Sequence, residues 1–265
     1  MPIRVRSRLL TGSREDAADL RRGGGHARTA GLAAAALVPV LALTAACGGG
    51  GGDKAKKDPG PVRASGAVST AKLTSALLTS KDVPHVQVLP AGSKTQLLGP
   101  ATTVDKADCQ PVADQWSSQP KHPRQVYTGA MVTDTADKDK KAKEISLSVI
   151  ASYTPGTAKT VLDELATALK TCHGFKATRN GAVTSYTVQQ VPSPAGRAPL
   201  GDQEVSYTIA DSARGAAGVV LVTVVRSGDA TAAYETVRAD HTAATLREAI
   251  PLKQAEKLKA AATGN

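Results

Sequence analysis

The residues of this 265-residue chain that could do chemistry are three cysteines, five histidines and a scatter of carboxylates. A thiol can take a lipid, pair with another thiol or hold a metal, and its setting decides which. Cys47 stands directly after Leu41-Ala42-Leu43-Thr44-Ala45-Ala46 and directly before the glycines 48–52. Small residues that fit a peptidase cleft followed by one cysteine read as a processing site whose thiol becomes an anchor. Cys109 and Cys172 then remain as an even pair, which in an oxidising compartment reads as one disulfide. A metal site built from Cys109, Cys172 and the neighbouring His173 is the rival reading, and it lacks the clustered spacing such sites show.

The segment ahead of Cys47 has the three parts of an export signal. Arg4, Arg6, Arg8, Arg14, Arg21, Arg22 and Arg28 form a basic region, and residues 31–43 form an uncharged apolar stretch. That stretch is well short of the roughly 20 residues a permanent span needs, and Pro39 interrupts it as a helix. The arrangement resembles the lipobox of bacterial lipoproteins, with Thr44 where leucine is usual. Several acyl chains on Cys47, at about 0.8 kcal/mol per buried methylene, would hold the domain on the outer face of the cell membrane. The expected division is a leader over 1–46, a lipidated Cys47 with a flexible linker over 47–68, and one folded domain over 69–265. Five glycines, a lysine-rich stretch and Pro59-Gly60-Pro61 suit a linker, because they cannot bury enough apolar surface to fold.

Composition narrows the partners. The chain carries a formal charge of +10 and only 3% aromatic residues. So few stacking groups, together with an export signal, exclude nucleic acid as a partner. Lys54, Lys56 and Lys57 beside the anchor suit anionic headgroups.

Catalytic constellations are wanting. A Gly-x-Ser-x-Gly elbow, His-Glu-x-x-His and a phosphate-cradling glycine loop are all absent from the sequence. His85, His122, His173 and His241 are scattered, each read as solvated or structurally bonded. Asp163 and Glu164 are adjacent on one helix and so point apart. Asp134, Asp137 and Asp139 alternate with lysines and lack the glycine of a calcium loop, so they read as a solvated hairpin. Trp116 reads as core. Tyr127, Tyr153, Tyr186 and Tyr207 fall on predicted strands and are the candidates to line a cleft. No cofactor is implied.

The elements that must position these groups follow from periodicity. Ser69 caps a helix running to Pro84, and residues 85–89 form a short strand. Residues 105–117 make a helix broken near Pro111. Strands follow at 125–133 and at 144–153, where Ile145, Leu147, Val149 and Ala151 alternate with serines, giving one buried and one polar face. A helix opens at Pro155 and ends before Cys172. Strands follow at 182–191 and 204–211 around a proline-rich loop, then a central strand over 217–226 and its hairpin partner over 230–237. A last helix starts at Pro251 with Leu252, Ala255, Leu258 and Ala261 on its stripe. Runs of strands with few helices predict an α+β domain with a twisted, mainly antiparallel sheet and helices packed on it.

This order resembles the PknH-like extracellular sensor domain. The residues carrying the likeness are Leu77-Leu78-Thr79-Ser80-Lys81-Asp82-Val83, Cys109 ahead of the first strand pair, the helix ending in Cys172, Gly201-Asp202 leading to Tyr207, and the strand 219–226 turning at Gly228. The resemblance implies a twisted antiparallel sheet with a cleft that takes an unidentified ligand outside the cell. Kinase-attached members carry two disulfides, where this chain can form one. The function expected is non-catalytic binding of a small molecule, a lipid, a wall fragment or a partner protein. A cell-envelope hydrolase and a lipid carrier are the alternatives. Convergent carboxylates or a Ser–His pair in the cleft would favour the enzyme.

Overall fold

The computed structural model describes residues 68–263. The leader, Cys47 and the linker up to residue 67 lie outside the described residues. Within them, nine strands form one sheet: β1 (Val86–Pro90), β2 (Thr102–Val104), β3 (Val126–Asp134), β4 (Glu144–Ser152), β5 (Gly174–Arg179), β6 (Ala182–Val191), β7 (Gln203–Asp211), β8 (Val219–Ser227) and β9 (Ala230–Arg238). Their order is β1-β3-β4-β9-β8-β7-β6-β5-β2, and every pairing is antiparallel. Four helices complete the α+β fold: α1 (Thr70–Ser75), α2 (Gln110–Asp114), α3 (Thr157–Ala168) and α4 (Ala249–Thr263). Among the described residues no helix is long and apolar enough to cross a membrane.

Each face of the sheet has its own core. On the front face, Leu162, Leu165 and Leu169 of the α3 region and Val112 of α2 pack on Val149, Val205, Tyr207, Val222 and Val224. On the back face, Leu73, Ile250 and Leu258 of α1 and α4 pack on Val132, Ile150, Ala232 and Tyr234. The Cys109–Cys172 disulfide, with its Cα atoms 5.3 Å apart, ties α2 to the end of α3. It closes 63 residues of sequence, a loop whose closure in the unfolded chain is worth about 4 kcal/mol. The pair of thiols is thereby used, and the metal reading of Cys109, Cys172 and His173 is set aside.

Two helices on the back face explain the correction at β4. Ser146, Ser148 and Ser152 were expected to face solvent, yet all three are buried. The Ser146 hydroxyl pairs with that of Thr236 at 2.8 Å, and Ser152 donates to the Val68 carbonyl. Small hydroxylated side chains let α1 and α4 approach the sheet closely; Ser146 and Ser152 keep their hydroxyls bonded, while that of Ser148 is buried without a partner. Gln254 of α4, wholly buried, joins the helices: its Oε1 accepts from Leu78 N and its Nε2 donates to Ala76 O at 2.6 Å, closing the exposed end of α1. This bond turns the α4 stripe to Ile250, Pro251, Gln254, Ala255 and Leu258, leaving Leu252 42% exposed.

Other expectations shift by a few residues. The Ser69 cap holds, its Oγ accepting from Lys72 N, but α1 ends at Ser75 and the chain to Pro84 is a set of turns. There the Asp82 carboxylate accepts from Thr79 N and Oγ1 and from Lys257 Nζ. The segment 77–83 is therefore a structural clasp, with Leu77, Leu78 and Val83 buried beneath it. The apolar run after residue 217 is the fifth of nine strands, starting at Val219. The hairpin at Gly228-Asp229 forms with Gly228 at φ +59, the backbone a two-residue loop asks of glycine in its first position.

Candidate ligand cleft

Where β6 hands over to β7, the prolines at 192, 194 and 199 keep the chain out of the sheet. Gly196, at φ +78, turns it so that Arg197 N reaches the Pro194 carbonyl. That turn sends the Arg197 side chain back to Glu204 on β7, where one guanidinium nitrogen donates to both carboxylate oxygens at 2.6 and 2.8 Å. The Glu204 side chain is only 6% exposed, so the pair is a half-buried strut holding the loop over the back face.

Between this loop and the segment 243–248 lies a cleft of about 420 Å³. Its floor is Ser206, Thr208, Leu221 and Thr223 of β7 and β8, and its walls are Pro192, Pro194 and Leu200 on one side and Ala243, Ala244 and Leu246 on the other. It opens because α4 begins only at Ala249 and leaves this end of the back face uncovered. The floor hydroxyls of Ser206 and Thr223 bond each other at 3.0 Å, and Glu204 is committed to Arg197. The cleft thus offers apolar walls, a hydroxyl floor and one closed ion pair, a lining that suits binding a small molecule. Its lining contains no histidine; of its two carboxylates, Glu204 is held by Arg197 and Glu248 lies at the rim leading into α4, and neither hydrogen-bonds Ser206 or Thr223. A second hollow, wider and shallower, runs between α2 and α3 past Lys121, Asp163, Glu164 and Lys170.

The sequence candidates do not converge on the cleft. Tyr207 is wholly buried in the front core. Tyr153 is buried against Ala151 and Ala158. Tyr186 packs on Phe175, ring centres 5.6 Å apart, with the Arg179 guanidinium 5.9 Å from its ring centre. Tyr127 is half-buried under the Lys94 ammonium. Strand alternation puts all four on the front face or its margin, whereas the cleft is on the back. Trp116 is 7% exposed within the front core.

The titratable groups are equally dispersed. His122 bonds Glu164 at 3.0 Å, and Lys121 donates to the same carboxylate. Asp163 instead takes Lys159 and Gln203, so the adjacent acids do point apart. Hydrogen bonds from these partners hold both carboxyls below their ordinary range. Asp134, Asp137 and Asp139 each accept from a backbone N–H two residues on, and Asp134 also pairs with Arg247. Among the described residues no group of three His, Cys, Asp or Glu side chains could hold a metal ion.

One acid stands apart. Glu235 of β9 projects to the front face between Leu147 and Val222. It has no hydrogen bond and no ion pair among the described residues. Burial pushes its carboxyl up to about 7, against the pull of the Arg179 guanidinium. Two strands away, burial first and the charge of Glu235 second push the Tyr207 hydroxyl above the usual phenol range. Tyr207 OH and Trp116 Nε1 are both buried and unpartnered. No motif marks Glu235, Arg197 or Glu204. The loop's three prolines and Gly196 were the one local signal that this connection is held in a fixed shape.

No curated protein matches the chain. Among solved structures, the extracellular domain of PknH from Mycobacterium tuberculosis aligns at 13% identity, covering 75% of this chain and 98% of its own, with a TM-score of 0.48. The Rv0999 ortholog from Mycobacterium smegmatis aligns at 20% identity over 76% and 98%, with a TM-score of 0.31. The model of the PknH-like extracellular domain matches residues 68–245, from the first described residue into the second wall of the cleft. The chain therefore belongs to the family of PknH-like extracellular domains.

Proposed function

We propose that this domain is a non-catalytic binding module held at the outer face of the cell membrane by lipid on Cys47, taking a small molecule or envelope fragment in the cleft beneath the proline-rich loop. The observation that carries the reading is the cleft itself: a 420 Å³ hollow whose only buried ion pair, Arg197–Glu204, is spent on holding its wall. An envelope hydrolase would need a nucleophile hydrogen-bonded to a base, whereas the Ser206 and Thr223 hydroxyls bond each other and Glu204 is held by Arg197. A carrier of long acyl chains would need a deeper apolar cavity than this hydroxyl-floored one. The membrane attachment rests on the sequence around Cys47 and on an extracellular family.

Native mass spectrometry of protein extracted from its own membrane tests the binding. A bound mass is expected in the wild type and is expected to disappear in Thr223→Trp, whose side chain would fill the floor. A wild type free of ligand, or a bound mass retained in Thr223→Trp, overturns the cleft assignment. Cys47→Ser tests the anchor separately: the variant is expected in the soluble fraction after detergent-free washing, and its retention on membranes would refute lipid attachment there.

A further inference from the structure

Among the described residues, the front face is covered at one end only. α3 lies against β7 and β8, with Asp163 reaching Gln203 at the start of β7. Leu97 covers the next part of the sheet by sitting on Gly129, where a Cβ would stand 2.7 Å from Leu97 Cδ2. Beyond that line the cover stops. The next row of residues across the sheet is Leu89, Met131, Leu147 and Glu235, each in direct register with the one before. Leu89 is 72% exposed and Met131 42%. Ile145 and Val237, paired on the same face one step further along, extend the patch, with Val237 38% exposed.

A run of exposed apolar side chains contiguous across a sheet face is a candidate binding surface, and Glu235 specifies its chemistry. The carboxylate is largely desolvated yet part of it reaches the surface, and no hydrogen bond or ion pair satisfies it among the described residues. A carboxylate amid apolar side chains, offset only by the Arg179 guanidinium, to which it is not hydrogen-bonded, is a poor neighbour for another anion and a good one for a cation that arrives with its own hydrocarbon. The same charge argues against a second copy of the chain, because two-fold pairing of this patch would bring two Glu235 carboxylates together. A peptide strand added at the β1 edge is blocked as well: Val88 N is taken by Ser80 Oγ, and Pro90 has no N–H to offer. We propose that the uncovered end of the front face, centred on Glu235, binds a small amphiphile, an apolar chain bearing one protonated amine. The site lies on the opposite face from the proline-rich cleft and stands independently of it.

Trp116, the chain's one tryptophan, belongs to the core beside this surface and serves as reporter. The full chain carrying Cys47→Ser is titrated at pH 8 with monomeric dodecylamine, dodecanol and dodecanoate, each below its critical micelle concentration. Dodecylamine is expected to bind at least tenfold more tightly than either of the others. Glu235→Gln should bring the three within about threefold. Leu89→Ser with Met131→Ser, both at exposed positions and checked for an unchanged melting temperature, should weaken amine binding at least tenfold. Absence of amine binding, preference for dodecanoate, or an amine preference that survives Glu235→Gln overturns the proposal. So does self-association of the ligand-free chain through this patch, seen by sedimentation and removed by the Leu89/Met131 double variant.

Discussion

Replacing Glu235 by glutamine should remove a pH dependence of stability whose sign and size follow from its surroundings. The carboxyl titrates at about 7 in the fold, against an ordinary value of 4.5. The folded chain therefore binds more protons than the unfolded one between those limits, and stability must fall as pH rises from about 4.5 to 7 and level off above. At about 1.4 kcal/mol for each unit separating the two values, the full penalty is about 3 kcal/mol. Because part of Glu235 meets solvent, about 2 kcal/mol is the magnitude to expect. Acids held low by their partners, such as Asp82, which Lys257 and Thr79 stabilise against burial, and Glu164 act with the opposite sign and below this window. Urea unfolding of wild type and Glu235→Gln, repeated from pH 4.5 to 8, isolates the contribution of Glu235, since every other titrating group is common to both. The variant should be about 2 kcal/mol more stable at pH 8, which for a domain of this size is a melting shift of about 4–8 °C, and the gap should close toward pH 4.5. Parallel pH curves, or a variant less stable than wild type at pH 8, would refute the reasoning.

Three further outcomes follow from the packing. Reducing Cys109–Cys172, or replacing both cysteines by alanine, should lower stability by about 4 kcal/mol, read as a drop in urea midpoint with a steeper slope, because the unfolded chain is no longer held compact by the crosslink. Gln254→Leu keeps the volume but orphans Leu78 N–H and the Ala76 carbonyl, a loss of about 2 kcal/mol or more; hydrogen exchange at Leu78 should rise more than at any β4 amide, and uniform loss of protection would contradict the clasp. Arg197→Ala should cost about 3 kcal/mol by leaving Glu204 buried without its cation, and adding Glu204→Gln should recover at least half of it in a double-mutant cycle.

The sheet was legible wherever a strand has a single buried face or an apolar run. β3, β6, β7, β8 and β9 lie within a residue or two of their expected bounds for that reason. β5 was missed because Phe175 and Ala177 are its only buried apolar side chains, too few to show a period. Its hairpin with β6 was nonetheless written in Asn180-Gly181, both at positive φ (48 and 80), the pair that a two-residue turn between Arg179 and Ala182 requires. β2, three residues long, carries no periodicity at all. The serine face of β4 misled because a hydroxyl's exposure depends on what packs above it, and α1 and α4 lie at opposite ends of the described residues.

The cleft was illegible for a related reason. Its floor comes from β7 and β8, one wall from the 192–201 loop and the other from 243–248, so no local window holds two of its sides. The tyrosines attracted notice because aromatic rings on strands suit ligand contacts, but rings of that volume are also what a core poor in phenylalanine must use. With one phenylalanine and one tryptophan in the chain, Tyr207 and Tyr234 fill space that apolar rings would fill elsewhere, each burying a hydroxyl without a partner. That leaves the surfaces to residues that composition cannot flag: threonines and prolines on the back face, and on the front a glutamate whose significance lies wholly in having Leu147 and Val222 beside it and nothing of opposite charge within reach of a hydrogen bond.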